Sequence, residues 1–369
     1  VKVLMVTPHL PPQQAANALL PHLLGRALAG RGIETRYLTF GSGPDTGEVS
    51  FVTRRSQRLR ATRIPQALEA GETVWKARRL VRAADVLHIH SNTWMNQVAG
   101  RLAERARRPY ILTHYGTEVW HHDGRDRLFR RLNERAHHVT FYSQALLDRG
   151  RELEIPLPRA SVIYPPVQDV FRPPSEERRE EARRRYLPGG GVLLLNVKRL
   201  HPLADHATLL EAMARVRARR ARAMLMIAGA GAEEAALKAR ATRLGLDSAV
   251  RFLGLVPNED LATLQGAADL FVLSSLLEAT PTVALEALAA GTPVVSTDSP
   301  GGVELHGIFG GDVALVPRSR PDALAEAVLS FLESPRRAAP ATARTIEERF
   351  RLESVAERYL GLYREAMAP

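Results

Sequence analysis

The chain of 369 residues contains no cysteine. Disulfides, thiolate nucleophiles and cysteine-ligated zinc or iron–sulfur centres are excluded, and a reducing cytoplasm is the expected setting. Long apolar runs are also missing, and none approaches the ~18 residues that would indicate a membrane span. The opening VKVLMVTPHL runs into Pro11 and Pro12 and reads as a buried first strand, not a secretory segment. Glycine first occurs at Gly25. A dinucleotide-binding first loop needs glycines directly after the first strand, where this chain has TPHLPPQQAANA, which argues strongly against nicotinamide-cofactor binding by the first half. Lysine is scarce: Lys2, Lys76, Lys198 and Lys238 are the only lysines among 51 basic residues.

What is present fits an ordinary globular chain. It is 45% hydrophobic and 25% charged, and its length suggests about two domains. The net charge of +11 is uneven: residues 1–180 hold 28 basic and 18 acidic residues, whereas residues 181–369 hold 23 and 22. The densest basic stretch is Arg54, Arg55, Arg58, Arg60 and Arg63. A solvated loop is its plain reading. An anionic acceptor or acidic membrane surface is the functional one, implying a cytoplasmic protein peripheral to the inner face of a membrane. No nucleic-acid motif accompanies the charge, so no nucleic-acid partner is expected.

In the first half, VKVLMVT, TRYLTF, DVLHIH, YILTHYG, VTFYS and SVIYP read as strands separated by amphipathic helical patterns. In the second half, VLLLNV, AMLMIAG, VRFLG, LFVLSS and TPVVST repeat that alternation. The expectation is α/β, with two Rossmann-like doubly wound domains facing across a cleft. The first spans residues 1–170 and the second 191–348. The Pro- and charge-rich stretch 171–190 reads as a linker containing one exposed helix. The tail 349–369 carries Val355, Tyr359, Leu360 and Tyr363 at helical spacing and is expected to pack back on the first domain.

The segment SSLLEATPTVALEALAAGTPVVSTDSPGGVEL (274–305) carries the most chemistry. Thr280 can cap a helix with Pro281 at its first position. A helix start after a strand offers free N–H groups and positive dipole character to a phosphate. Glu278 lies just before that start and Glu286 inside the helix. Two carboxylates beside an anion site suit a ligand with both phosphate and hydroxyls. A capped surface helix with two unrelated acids is the plain alternative.

This segment resembles the donor-binding signature of the retaining glycosyltransferases of family 4, which have the GT-B fold. Their hallmark is two glutamates separated by seven residues, the spacing of Glu278 and Glu286. NVKRLHPLADHATLLEA (196–212) resembles the family's phosphate segment, and residues 226–275 resemble the family nearly throughout. DVLHIH, LTHYGTEVW and VIYPPVQDVFRP match more loosely. The resemblance implies a metal-independent transfer of a sugar from a nucleotide-diphosphate sugar to a glycan, lipid or small-molecule acceptor, as in glycan biosynthesis. It implies no cofactor, since the nucleotide sugar is a co-substrate. Glu278 would bind the donor sugar near the reacting centre, Glu286 the ribose, and Arg199 the diphosphate. Thr280, Thr282 and Val283 would contact phosphate or sugar at the helix start, and the backbone near Val256 would border the base. Gly229 and Gly231 would let the chain approach the nucleotide closely. His114 would lie over the donor sugar and acceptor. His88 and His90 read as structural. No metal is expected, because His121-His122-Asp123 and His137-His138 are adjacent residues that do not face one ligand position.

Several positions depart from the family pattern. Ala204 stands where the family has a lysine five residues after the arginine. Lys198 adjoins Arg199, but neighbours on a strand point to opposite faces, which makes it a poor substitute. Ala279 stands where a glycine is usual, which restricts the backbone there. Gln13, Gln14, Ala15, Ala16 and Asn17 occupy the region of the family's first glycine pair, and Pro165-Pro166 replace an Asn-Gly. Two other readings stay open: a GT-B sugar-nucleotide epimerase or phosphorylase, and a non-catalytic sugar-nucleotide-binding partner protein.

Overall fold

The computed structural model describes residues 1–11, 16–41, 46–52 and 64–368. The basic stretch Arg54–Arg63 and residues Gln13, Gln14 and Ala15 of the first loop lie outside the described residues. The chain divides into two units: Val1–Pro166 with Leu352–Pro369, and Val167–Arg351.

The first unit holds seven parallel strands: β1 (Lys2–Val6), β2 (Glu34–Phe40), β3 (Val49–Val52), β4 (Val86–His90), β5 (Tyr110–His114), β6 (His138–Phe141) and β7 (Ala160–Val162). Their order is β3-β2-β1-β4-β5-β6-β7. β4 and β5 are buried along their whole length, as strands covered on both faces must be. The short edge strand β3 has no signal in the sequence reading, because four residues beside a polar loop show too little periodicity.

One face of this sheet is closed by the helix Leu352–Met367. Val355, Ala356, Tyr359, Leu360 and Tyr363 join Val3, Met5, Leu24, Val86 and Ile111 in one core cluster. The two tyrosines bring hydroxyls that must be satisfied. Tyr363 Oη lies 2.7 Å from His88 Nδ1, and Tyr359 Oη lies 3.3 Å from Thr113 Oγ1. His88 and His90 are fully buried members of this network, with His90 Nδ1 2.7 Å from the Tyr115 hydroxyl. Burial lowers the pKa of both imidazoles, that of His90 to about 3, so they stay neutral.

The second unit holds six parallel strands: β8 (Val192–Val197), β9 (Ala223–Ala228), β10 (Val250–Gly254), β11 (Leu270–Leu273), β12 (Val294–Thr297) and β13 (Val313–Val316). Their order is β10-β9-β8-β11-β12-β13. Helices cover the sheet, and Leu194, Leu225, Ile227, Leu270 and Val272 meet Leu209, Met213 and Val216 of His206–Arg219 in its core.

The stretch 171–190 is not a separate linker. Its helix Glu176–Tyr186 belongs to the second unit, where Arg179 and Arg183 reach Asp269 Oδ1 at 3.1 and 2.8 Å. Asp269 Oδ2 accepts from the Leu193 N–H, tying that helix to the start of β8. The helix Pro300–Phe309 is hidden in the sequence by Gly301 and Gly302. Both glycines are steric necessities: a Cβ at Gly302 would lie 2.1 Å from the Thr297 carbonyl oxygen, and one at Gly301 2.7 Å from that of Ala279.

Candidate functional site

The chain builds β8, β9 and β10 outward in one direction, then returns to the other side of β8 for β11, β12 and β13. The loops after β8 and β11 therefore leave the sheet in opposite directions. At such a switch point a crevice opens at the carboxyl ends of the strands.

The loop after β8 is held from below. Asn196 donates to the Val272 carbonyl of β11 and its Oδ1 lies 3.0 Å from His206 Nε2. Burial, followed by the nearby charge of Lys198, pushes the His206 imidazole down to about 4, so it is neutral at physiological pH. Pro202–Ala204 form a 3₁₀ turn, and Asp205, at φ 47°, caps the helix His206–Arg219. The loop after β11 is stitched to this turn: Ser274 Oγ donates to the Ala204 carbonyl at 2.8 Å, and the Leu276 N–H to that of Leu203 at 2.8 Å.

Lys198 and Glu278 meet across this seam. Lys198 Nζ lies 2.5 Å from Glu278 Oε1, and the Glu278 side chain is 9% exposed. Lys198 follows the last residue of β8, and its N–H still donates to the Ala228 carbonyl at 2.9 Å, so its side chain and that of Arg199 leave the backbone at an extended segment. Arg199 is exposed and has no ionic partner among the described residues.

The helix after Glu278 is Thr282–Ala289, one residue later than the sequence suggests. Pro281 occupies the cap position with φ −76° and ψ 89°, and no side chain caps the helix. Thr280 is thus not the N-cap. Among the described residues, none accepts from the N–H groups of Thr282 or Val283, which leaves both donors free for a ligand. Ala279 is not among the residues of positive φ, so its replacement of a glycine carries no backbone strain. Glu286 lies on this helix. Burial pushes its carboxyl up to about 8, against an opposing hydrogen bond with Gln265.

Gly229 and Gly231 have a different immediate role from the one expected. A Cβ at Gly229, whose φ is +141°, would lie 2.0 Å from the Lys198 carbonyl oxygen, and one at Gly231 would lie 2.2 Å from that of Leu200. These glycines allow the β9 loop to press against the Lys198–Leu200 backbone, which they hold in place. Val256 follows β10 and is half-buried beside Leu255, which is largely exposed.

His114 belongs to the first unit and is fully buried. Its Nε2 lies 2.8 Å from Asn133 Oδ1, its Nδ1 lies 3.8 Å from Glu118 Oε1, and its ring packs on Phe129 and Phe141. Only Nε2 of this enclosed ring is hydrogen-bonded, and Nδ1 has no hydrogen-bond partner among the described residues. Its neighbourhood supports a turn. Glu118 accepts from the N–H groups of Tyr115 and Gly116. Burial raises the Glu118 pKa, but the nearby His114 and the Tyr115 N–H outweigh it and leave the carboxyl below its usual range. His122 Nδ1 accepts from the Gly124 N–H and its ring lies 4.1 Å from that of Phe129. Among the described residues, no three His, Asp or Glu side chains converge on one point.

Two parallel sheets covered by helices, in these strand orders, place the chain in the GT-B fold class. The fold match is close over nearly the whole chain. Sucrose-phosphate synthase from Thermosynechococcus elongatus superposes with TM-score 0.78 at 20% identity, covering 99% of this chain and 98% of that one. HepE from Anabaena, solved with UDP, superposes with TM-score 0.80 at 21% identity, covering 99% and 100%. Residues 177–349 match the family of group 1 glycosyl transferases, and residues 22–171 match Glycosyltransferase Family 4. The chain belongs to the group 1 glycosyltransferases of family 4 type. Among curated relatives, D-inositol 3-phosphate glycosyltransferase 2 of Catenulispora acidiphila is 36% identical over 191 residues, covering 49% of this chain and 44% of the relative. An uncharacterized glycosyltransferase of Methanocaldococcus jannaschii is 27% identical over the full chain and 99% of its own length. The chain spans about half the length or less of the first curated relatives it matches.

Proposed function

We propose that this chain transfers a sugar, with retention of anomeric configuration and without a metal, from a nucleotide-diphosphate sugar to an acceptor hydroxyl. The observation that carries the reading is the buried Glu278, paired with Lys198 and lying just before an uncapped helix start at the switch point of the second sheet, with the exposed Arg199 next to Lys198 in the chain. The names of the curated relatives support transfer, and the UDP and UDP-glucose complexes of Anabaena HepE support a nucleotide-sugar donor.

In this reading, the bond from the anomeric carbon to the diphosphate oxygen breaks while the acceptor oxygen bonds to that carbon on the same face. The acceptor's proton passes to the departing phosphate. Arg199 and the free N–H groups of Thr282 and Val283 stabilise the charge that builds on the diphosphate. Thr280 lines this phosphate and sugar side. Glu278 accepts hydrogen bonds from sugar hydroxyls, and Glu286 from the ribose. The backbone near Val256 borders the base. Gly229 and Gly231 serve the nucleotide indirectly, by fixing the Lys198–Leu200 backbone. His114 serves as a support for the Tyr115–Glu118 turn.

Calorimetric titration without metal, using UDP, GDP, ADP and dTDP in turn, tests the reading. One nucleotide is expected to bind, and Arg199→Ala to weaken it about tenfold, or ~1.4 kcal/mol. Glu286 adds a signature in protons. With its carboxyl raised to about 8 it is protonated at pH 7, and hydroxyls donating to it favour the ionised form. Binding near pH 7 is therefore expected to release close to one proton, read from the dependence of the heat on buffer ionisation. Affinity should rise with pH up to about 8 and then level off. Binding by none of the four nucleotides would overturn the assignment.

A peripheral membrane association is also part of the proposal. It rests on the helix Ile64–Ala83 of the first unit, where Leu68 and Trp75 are 57% and 74% exposed. Arg78, Arg79 and Arg82 are exposed on the following turns of the same side. Tryptophan and arginine on one helix face suit an anionic lipid surface, the ring at the headgroups and the guanidiniums on phosphate. Among the described residues no helix is long and apolar enough to cross a membrane. Flotation with phosphatidylglycerol vesicles is expected to carry the protein upward, and Trp75→Ala to reduce the floated fraction severalfold. Equal flotation with neutral phosphatidylcholine vesicles, or none with either, would remove this element.

A further inference from the structure

We propose that Lys198 is the second cation of the diphosphate site, and that Glu278 holds it in reserve until the donor arrives. This rests on the donor-site reading above and adds a residue and an exchange of partners to it.

The position five residues after Arg199 cannot supply the charge. Ala204 is buried inside the 3₁₀ turn, and its carbonyl is taken by Ser274 Oγ. Lys198 lies at the same seam, with its ammonium already in the crevice and its side chain 29% exposed. The backbone at Lys198 is fixed: its N–H donates to the Ala228 carbonyl at 2.9 Å, and its own carbonyl fills the space that a Cβ at Gly229 would need. Only the four-carbon stem is left to move, and it can swing between two anions without moving the loop. His206, close enough to feel the charge of Lys198, is neutral and does not compete with it for those anions.

The present partner is incomplete. Glu278 Oε1 forms no aligned hydrogen bond, although Nζ lies 2.5 Å away, so their contact is a charge pair without good donor geometry. An ammonium has three donors, and one carboxylate oxygen satisfies it poorly. The pair still does a necessary thing in the empty site, because a carboxylate this buried is strongly unfavourable when unpaired. A diphosphate brings more charge and more acceptors than Glu278 does. When Lys198 turns to it, the Glu278 carboxylate is released at the moment a donor sugar presents hydroxyls. The ion pair thereby couples arrival of the diphosphate to readiness of the carboxylate.

The test compares the diphosphate that binds among UDP, GDP, ADP and dTDP with its own monophosphate. Lys198→Met is expected to weaken the diphosphate about tenfold and the monophosphate less than threefold. Glu278→Gln is expected to tighten the diphosphate severalfold, because Lys198 no longer has to leave a carboxylate. Since Lys198→Met leaves Glu278 unpaired and risks misfolding, the double variant Lys198→Met/Glu278→Gln is measured too. It is expected to bind the diphosphate about tenfold more weakly than Glu278→Gln alone. If Arg199→Ala weakens the diphosphate while Lys198→Met has no effect in either background, the inference is wrong and the donor site stands. Weakening of the diphosphate by Glu278→Gln would equally overturn the exchange. If the wild type binds none of the four, the donor-site reading fails first and takes the inference with it.

Discussion

Glu278→Gln is expected to lower the rate of sugar transfer at saturating donor by about 100-fold or more, the scale of losing one preorganised electrostatic group at a reacting centre. The substitution keeps the shape and removes the charge. The folded state should survive it, because the partner left behind, Lys198, is 29% exposed and can turn to water. The expected pattern is therefore a lost rate with unchanged thermal unfolding and a nucleoside diphosphate bound severalfold more tightly. That combination separates a catalytic loss from a damaged site. Nucleotide release measured with a responsive acceptor reads the rate. Full transfer by Glu278→Gln would remove Glu278 from the reacting centre.

Gly229→Ala should have the largest effect on stability. Two penalties coincide there: a φ of +141°, which L side chains rarely adopt, and a carbonyl oxygen 2.0 Å from the new methyl. The second unit is expected to lose about 3 kcal/mol or more. Gly245→Ala serves as the control. Its φ of +68° carries the backbone penalty, but nothing lies within 4 Å of the added carbon. It should cost only about 1 kcal/mol. Urea unfolding followed by hydrogen exchange in β8 and β9 checks both. Equal losses for the two variants would mean that the β8 and β9 loops do not press together as described. Where Gly229→Ala remains folded, displacement of Lys198 and Arg199 should also weaken nucleoside diphosphates.

Strands such as VLLLNV and LFVLSS are recognisable because a fully covered parallel strand is a short apolar run bounded by polar residues. The glutamate spacing is legible for a related reason, since both residues sit on one loop-and-helix segment. The sequence points to a helix start one residue early, because capping by Thr280 and by Pro281 look alike until the backbone angles are known. β13 gives little signal in the sequence, because VALV is only four residues long, has no polar alternation and follows Gly310-Gly311-Asp312. His114 is legible in the sequence only as the last residue of a strand; that Asn133, Phe129 and Phe141 enclose its ring, with Glu118 close by, depends on segments that the sequence does not bring together.

The amino-acid sequence by itself determined the α/β alternation, the exclusion of thiol and cysteine–metal chemistry, and the family to which the residues around Glu278 and Glu286 point. Each follows from composition or from neighbours a few residues apart, where side-chain period and local hydrogen bonding decide the outcome. Only the tertiary structure decided the strand order, the membership of 171–190 in the second unit, the raised carboxyl of Glu286 and the pairing of Lys198 with Glu278. These depend on which distant segments share a sheet and how much water they leave between them. Lys198 and Glu278 lie far apart in sequence, and they meet because β11 returns to the side of β8 that β9 leaves free.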